Sequence, residues 1–138
     1  MAVHVFAYGT LMHADILRAA CGAVPASLPA RLDGYRRHPV AGEDYPGIRP
    51  DAGAHVDGTL YLDVTPAQLA DLDRFEGSQY ERRTVTVTVA DGRRFAAETY
   101  VFAEHCHHLL EAGDWSYDAF VASATERFRA RYPGFHDR

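Results

Sequence analysis

One carboxylate stands where an apolar side chain is expected. At about 100° per residue on a helix, Leu69 and Leu72 lie about 60° apart, Phe75 about 60° further on, and Glu76 about 20° from Leu69. A helix that runs through residue 76 therefore projects Glu76 from its apolar face, while Asp71, Asp73 and Arg74 fall outside that arc. Burial without a partner disfavours the charged form and raises a carboxyl's pKa. A raised pKa is what a general acid or base needs near neutrality. The alternative is a frayed helix end, with Glu76 in solvent or paired with Arg82 or Arg83, since ion pairs also perturb carboxyl groups.

A second group of residues, Tyr8-Gly9-Thr10-Leu11, closes a short apolar run. Glycine there allows close backbone approach and positive φ. Consecutive N–H groups in such a turn, those of Thr10, Leu11 and Met12, followed by a helix N-terminus, can hold an anion. A plain turn is the alternative, glycine being an ordinary turn residue, and Arg49 or Arg82 would then be the rival anion binders. His105-Cys106-His107-His108 fits no familiar zinc spacing and reads as a polar turn. No Gly-x-Ser-x-Gly elbow and no Gly-x4-Gly-Lys phosphate loop occurs. Arg36-Arg37 reads as ordinary surface, and Arg127, Arg129 and Arg131, beside Glu126, as a solvated face. His4 and Cys21 read as packing residues.

These residues need elements to hold them. Val3–Tyr8 is a first strand bounded by Gly9, and His13–Cys21 a helix stopped by Gly22. Five prolines, at 25, 29, 39, 46 and 50, break residues 23–55 into short strands and loops, with one strand near Ala30–Arg37. Val56, Leu60, Leu62 and Val64 share one face of a strand. Thr65-Pro66-Ala67-Gln68 opens the helix that carries Glu76, with Thr65 as N-cap and Gln68 completing a capping box, and Gly77 is its stop. Valine alternates with polar residues over Arg83–Val89, Asp91-Gly92 signals a hairpin, and Phe95, Ala97, Thr99 and Val101 form the returning strand. Tyr117, Phe120, Val121, Ala124 and Phe128 give an amphipathic helix at about 116–131. The sum is α+β: a small, mixed and mostly antiparallel β-barrel with two to three flanking helices.

Composition sets the outer limits. The chain has 138 residues, one domain's worth, with 47% hydrophobic and 24% charged residues. Its net charge of -5 makes it a poor binder of nucleic acid or anionic membrane through bulk charge. It lacks an apolar run of about 20 residues, and its first nine residues lack the basic region of a signal peptide. Its two cysteines, Cys21 and Cys106, make no disulfide framework. The expectation is a cytoplasmic protein, monomer or weak dimer.

Several motifs agree in order and spacing with one family. Phe6-Ala7-Tyr8-Gly9-Thr10-Leu11-Met12, then Tyr45-Pro46-Gly47-Ile48, Val56-Asp57-Gly58-Thr59-Leu60-Tyr61, Leu72-Asp73-Arg74-Phe75-Glu76-Gly77, Tyr80-Glu81-Arg82 and Ala97-Glu98-Thr99-Tyr100-Val101 are the residues concerned. Over roughly residues 3–103 the chain resembles the γ-glutamylcyclotransferase-like superfamily, in its AIG2-like and γ-glutamylamine cyclotransferase branch. The resemblance implies a small mixed barrel. It implies that Glu76 is the catalytic glutamate and that the backbone amides of Tyr8, Gly9, Thr10 and Leu11 hold a substrate α-carboxylate. It places Tyr80, Tyr45 and Tyr100 beside the pocket. The implied substrate is a small γ-glutamyl compound, cyclised to 5-oxoproline with release of the amine, without metal or organic cofactor. Two readings stay open beside it: the same barrel as a non-catalytic module binding a small molecule or protein, and the same site acting on a γ-glutamyl-protected pathway intermediate.

Overall fold

A computed structural model describes residues 2–124. Five strands close into a barrel in the order β1-β3-β2-β4-β5. They are β1 (Val3–Ala7), β2 (Ser27–Pro39), β3 (Pro46–Val64), β4 (Tyr80–Val89) and β5 (Arg94–Phe102). All pairings are antiparallel except the seam, where β1 runs parallel to β5 through the pair Val5–Glu98. Three helices join them: α1 (Ala14–Cys21), α2 (Pro66–Glu76) and the short α3 (Tyr117–Ala119). The fold is thus α+β, a five-stranded mixed barrel with few short helices. Among the described residues no helix is long and apolar enough to cross a membrane.

Period two along the strands sorts side chains into two cores. Phe6, Leu32, Ile48, Leu60, Val87 and Val101 fill the barrel interior. Val5, Ala7, Tyr61 and Tyr100 face outward, where Ile16 and Leu17 of α1 and Leu72 of α2 cover them. Gly58 of β3 is required at the crossing of β1, because a Cβ there would stand 2.3 Å from the Ala7 carbonyl oxygen.

The region rich in proline differs from the sequence expectation of short strands. It forms two long strands of 13 and 19 residues, paired from Ser27–Tyr61 to Pro39–Pro46. Among the described residues β2 pairs with β4 only at Ala30 and Arg31, so beyond Arg31 its outer edge has no ladder partner there. Edge positions tolerate proline because no N–H is needed there. Val64 also differs: it packs with Tyr61 outside the barrel, whereas Leu60 packs inside and Leu62 against that interior core. Asp63, with φ +56°, lies where the β1–β3 register shifts between the pairs Val3–Val64 and Val5–Tyr61. One extra residue in a strand sends every later side chain to the other face.

α2 begins as its sequence dictates. The Gln68 N–H donates to Thr65 Oγ1 at 3.2 Å and the Thr65 N–H to Gln68 Oε1 at 2.9 Å, with Pro66 at the first position. Thr65→Ala removes one of these acceptors and is expected to cost about 1 kcal/mol, read as a melting temperature lower by a few degrees. An unchanged melt would show that tertiary packing alone holds the helix start. The predicted C-terminal helix begins with α3 and continues as a π turn over Phe120–Ala124. Its remainder, with Phe128 and the three arginines, lies outside the described residues.

Candidate active site

α2 ends at Glu76 because Gly77, at φ +78°, turns the chain out of the helix while its N–H caps the Asp73 carbonyl. Leu72 is buried on the same face, with Leu69 and Phe75 partly buried beside it. Glu76 therefore stays on the protein side of the helix and lines a cavity of about 450 Å³. Its residue surface as a whole is half-buried. It makes no hydrogen bond or ion pair with another described residue. The two arginines that could have neutralised it are engaged elsewhere. Arg82 binds Asp73 at 3.0 Å and Glu98 at 2.5 Å, and Arg83 binds Glu81 at 3.3 Å. Burial with no compensating cation pushes the Glu76 pKa up to about 8.

The loop after β1 supplies the opposite part of the same cavity. Gly9 begins a 3-10 turn over Thr10–Met12. Each of the four carbonyls of residues 8–11 is occupied. Arg37 Nη1 donates to Tyr8 O at 2.8 Å, Met12 N–H to Gly9 O at 3.0 Å, His13 N–H to Thr10 O at 3.0 Å, and Tyr61 Oη to Leu11 O at 2.8 Å. The N–H groups of Gly9, Thr10 and Leu11 donate to no described residue. A stretch whose acceptors are all used and whose donors are free presents positive potential without a cation. Two details correct the sequence expectation. The Met12 amide is spent inside the turn, so the free set is Gly9, Thr10 and Leu11. Gly9 has φ −135° and needs no positive φ; it is required because a Cβ would stand 2.8 Å from Pro46 Cγ and Cδ.

Four tyrosines line the cavity, and each hydroxyl is held by a hydrogen bond. Tyr8 Oη donates to the Tyr100 carbonyl at 2.5 Å, and Tyr100 Oη to Asp73 at 2.7 Å. Tyr80 Oη donates to the Pro46 carbonyl at 2.7 Å, and the Tyr45 hydroxyl donates to Gln79 Oε1 at 3.0 Å. Desolvation, and then the nearby Glu76 charge, hold the Tyr8 hydroxyl well above the usual phenol range, so it stays a donor at any working pH. The structure thus brings Tyr8, Gly9, Thr10, Leu11, Tyr45, Glu76, Tyr80 and Tyr100 to one cavity. No arginine or lysine lines it among the described residues, Arg49 and Arg82 included.

Sequence reasoning missed Ser78 and Gln79, which also line the cavity; their place directly after Glu76 and Gly77 was the available signal. Arg37 differs from the ordinary surface that Arg36-Arg37 suggests: it is 15% exposed and holds both Asp114 and the Tyr8 carbonyl. The His105–His108 run lies in a 3-10 turn over Glu104–Leu109, where His107 Nε2 is 3.0 Å from the Phe102 carbonyl. Among the described residues no group of three or more His, Cys, Asp or Glu is placed to hold a metal ion.

Comparison with known proteins adds an independent line. The sequence pattern described as Gamma-glutamyl cyclotransferase, AIG2-like, matches residues 5–117. AIG2-like protein C of Arabidopsis thaliana is 31% identical over 128 residues, which is 92% of this chain and 74% of that protein. An Arabidopsis thaliana protein solved in solution superposes with a TM-score of 0.74 at 27% identity, over 96% of this chain and 81% of that one. A structure named gamma-glutamyl cyclotransferase superposes with a TM-score of 0.68 at 17% identity, over 75% of this chain and 68% of that one, a likeness of fold alone.

Proposed function

Because the chain belongs to the AIG2-like gamma-glutamyl cyclotransferase family, we propose that it cyclises a γ-glutamyl group to 5-oxoproline and releases the amine. The observation that carries this reading is an unpaired carboxyl with a pKa of about 8 in one cavity with three unused backbone amides.

The steps follow from those two features. The Gly9–Leu11 amides take the substrate's α-carboxylate and fold the γ-glutamyl chain back on itself. Glu76 removes a proton from the α-ammonium. Once Glu76 has passed that first proton to solvent, the freed nitrogen attacks the γ-carbonyl carbon, and Glu76 takes the second proton from the attacking nitrogen and delivers it to the departing nitrogen as that nitrogen's bond to the carbon breaks. No water is consumed, and the products are 5-oxoproline, a neutral amine and one proton released to solvent. A carboxyl near 8 lies far closer to an α-ammonium's range than an ordinary glutamate at about 4.3 does, so the proton moves in either direction with less driving force against it. Holding the nitrogen against the carbonyl supplies much of the remaining acceleration.

The test is 5-oxoproline release from a panel of γ-glutamyl amino acids, γ-glutamylamines and glutathione. The dependence on pH has a definite sign. Glu76 acts as base only when ionised, so kcat/KM should rise about tenfold per unit below pH 7 and level off above about 8. An acid limb centred near 4.3, the ordinary value for glutamate, would remove Glu76 from this role. Tight binding of panel compounds without 5-oxoproline release would favour the binding module.

A further inference from the structure

Arg37 stands outside the cavity, yet it touches the backbone that lines it. Its Nη1 donates to the Tyr8 carbonyl at 2.8 Å. Its Nε and Nη2 grip the Asp114 carboxylate at 2.8 and 3.2 Å, and its guanidinium lies 5.4 Å from the Trp115 ring centre. Trp115 is itself fixed, its Nε1 donating to the Asp44 carbonyl at 3.0 Å and its backbone N–H to Asp114 at 2.7 Å. A bidentate, ring-stacked arginine at 15% exposure is held in one geometry.

The Tyr8 carbonyl and the Gly9 N–H belong to one peptide unit. No peptide bond here is cis, so the two groups point in opposite directions. A cation pulling the carbonyl from outside therefore turns the Gly9 N–H toward the cavity that Gly9 lines. The same pull polarises the peptide and strengthens its N–H as a donor.

We propose that Arg37 is a positioning residue for the anion site, aiming the Gly9 amide at the substrate carboxylate through the Tyr8 peptide, with Asp114 and Trp115 as its mount. This rests on the reading of the Gly9–Leu11 loop as the carboxylate site. It explains how a cavity without a lining cation attracts a carboxylate: the positive charge sits one peptide unit behind the wall. The arrangement also makes the segment around residue 114 a part of substrate recognition, 77 residues from Arg37 in sequence.

The experiment compares two probes on the whole protein. 5-Oxo-L-proline carries the carboxylate, and 2-pyrrolidinone is the same lactam without it. Binding is followed by amide chemical shifts, Gly9 included. Arg37→Met should weaken 5-oxo-L-proline about tenfold or more, the size of one charge-assisted hydrogen bond, and leave 2-pyrrolidinone within twofold. Asp114→Asn, at a 68% exposed side chain where folding is not at stake, should weaken 5-oxo-L-proline severalfold with the same selectivity. Arg37→Lys keeps the charge and should recover part of the loss. Equal losses for both probes, unchanged 5-oxo-L-proline affinity in Arg37→Met and Asp114→Asn, or no saturable 5-oxo-L-proline binding by the unmodified protein would overturn the proposal. Carboxylate-selective losses in a protein that turns over no γ-glutamyl compound would uphold the positioning role and defeat the cyclotransferase reading.

Discussion

Replacing Glu76 by glutamine should lower 5-oxoproline release by at least about 10²-fold, and up to about 10⁴-fold, the span of general acid and base catalysis. Glutamine keeps the size of the side chain and its hydrogen-bonding ends, so the cavity stays formed, but an amide cannot carry the proton from the α-nitrogen to the departing one. The same variant has a second signature in stability. Glu76 titrates near 8 when folded and near 4.5 when free, so between those values the folded protein holds a proton that the unfolded chain has lost. Stability from this group is full below about pH 4.5 and is lost as pH rises through 8, where the charged carboxylate stands in a poorly solvated site. Glutamine never charges. The melting temperature of Glu76→Gln should therefore match the parent at pH 4–5 and exceed it by a few degrees at pH 8–9. Near-parental turnover would end the mechanism. A variant that melts lower than the parent at alkaline pH would contradict the unpartnered, poorly hydrated state of the carboxylate.

Gly9→Val is expected to reduce kcat/KM by about tenfold to 100-fold, mostly through KM. The first added carbon already meets Pro46 Cγ and Cδ at 2.8 Å, inside any contact distance that side chains adopt, and valine adds two methyl groups beyond it. The loop must move away from Pro46, which displaces the amides proposed to bind the carboxylate. Overpacking of this kind costs about 1–3 kcal/mol, and each tenfold in affinity is about 1.4 kcal/mol. Thr10→Val is the control. The Thr10 side chain is buried at 6% exposure and has no hydrogen bond to another described residue, so only its backbone N–H serves the site and the swap should change kcat/KM less than threefold. If Thr10→Val matches Gly9→Val, the hydroxyl rather than the backbone binds substrate. A substrate analogue soaked into crystals gives the direct view, its α-carboxylate expected within about 3.2 Å of the Gly9–Leu11 amides.

What the sequence made legible was local chemistry. Thr65, Pro66 and Gln68 specify a helix start by themselves, and Gly77 a stop, so the helical phase that carries Glu76 inward was readable from a dozen residues. Valine alternation over 83–89 and Asp91-Gly92 specify a hairpin in the same way. Other features depend on distant partners. Prolines 39, 46 and 50 look like strand breakers until the outer edges of β2 beyond Arg31 and of β3 before Thr59 are found without ladder partners among the described residues. The bulge at Asp63, with φ +56°, moves Val64 to the helix side, and nothing in the alternation of Leu60, Leu62 and Val64 announces it. The partner of Glu76 was equally undecidable: the sequence offered Arg82 and Arg83, and only the fold shows both already committed. Arg37 looked ordinary because its acid and its ring lie at 114 and 115.

The parallel seam between β1 and β5 bears on how the chain reaches its working form. Hydrogen bonds there span great lengths of chain: Thr99 to the Phe6 carbonyl across 93 residues, and Tyr8 to the Tyr100 carbonyl across 92. Contacts so distant in sequence require closing long loops and tend to form slowly. The β2–β3 and β4–β5 hairpins pair near neighbours and can form without β1. The turn at Gly9 and the end of α2 meet only once β1 is seated. A chain caught before that event has most of its sheet but not the cavity between Glu76 and the Gly9 turn. Conversely, slight opening of the Val5–Glu98 seam in the folded protein would separate the Gly9 turn from Glu76 while circular dichroism still reported a nearly intact sheet.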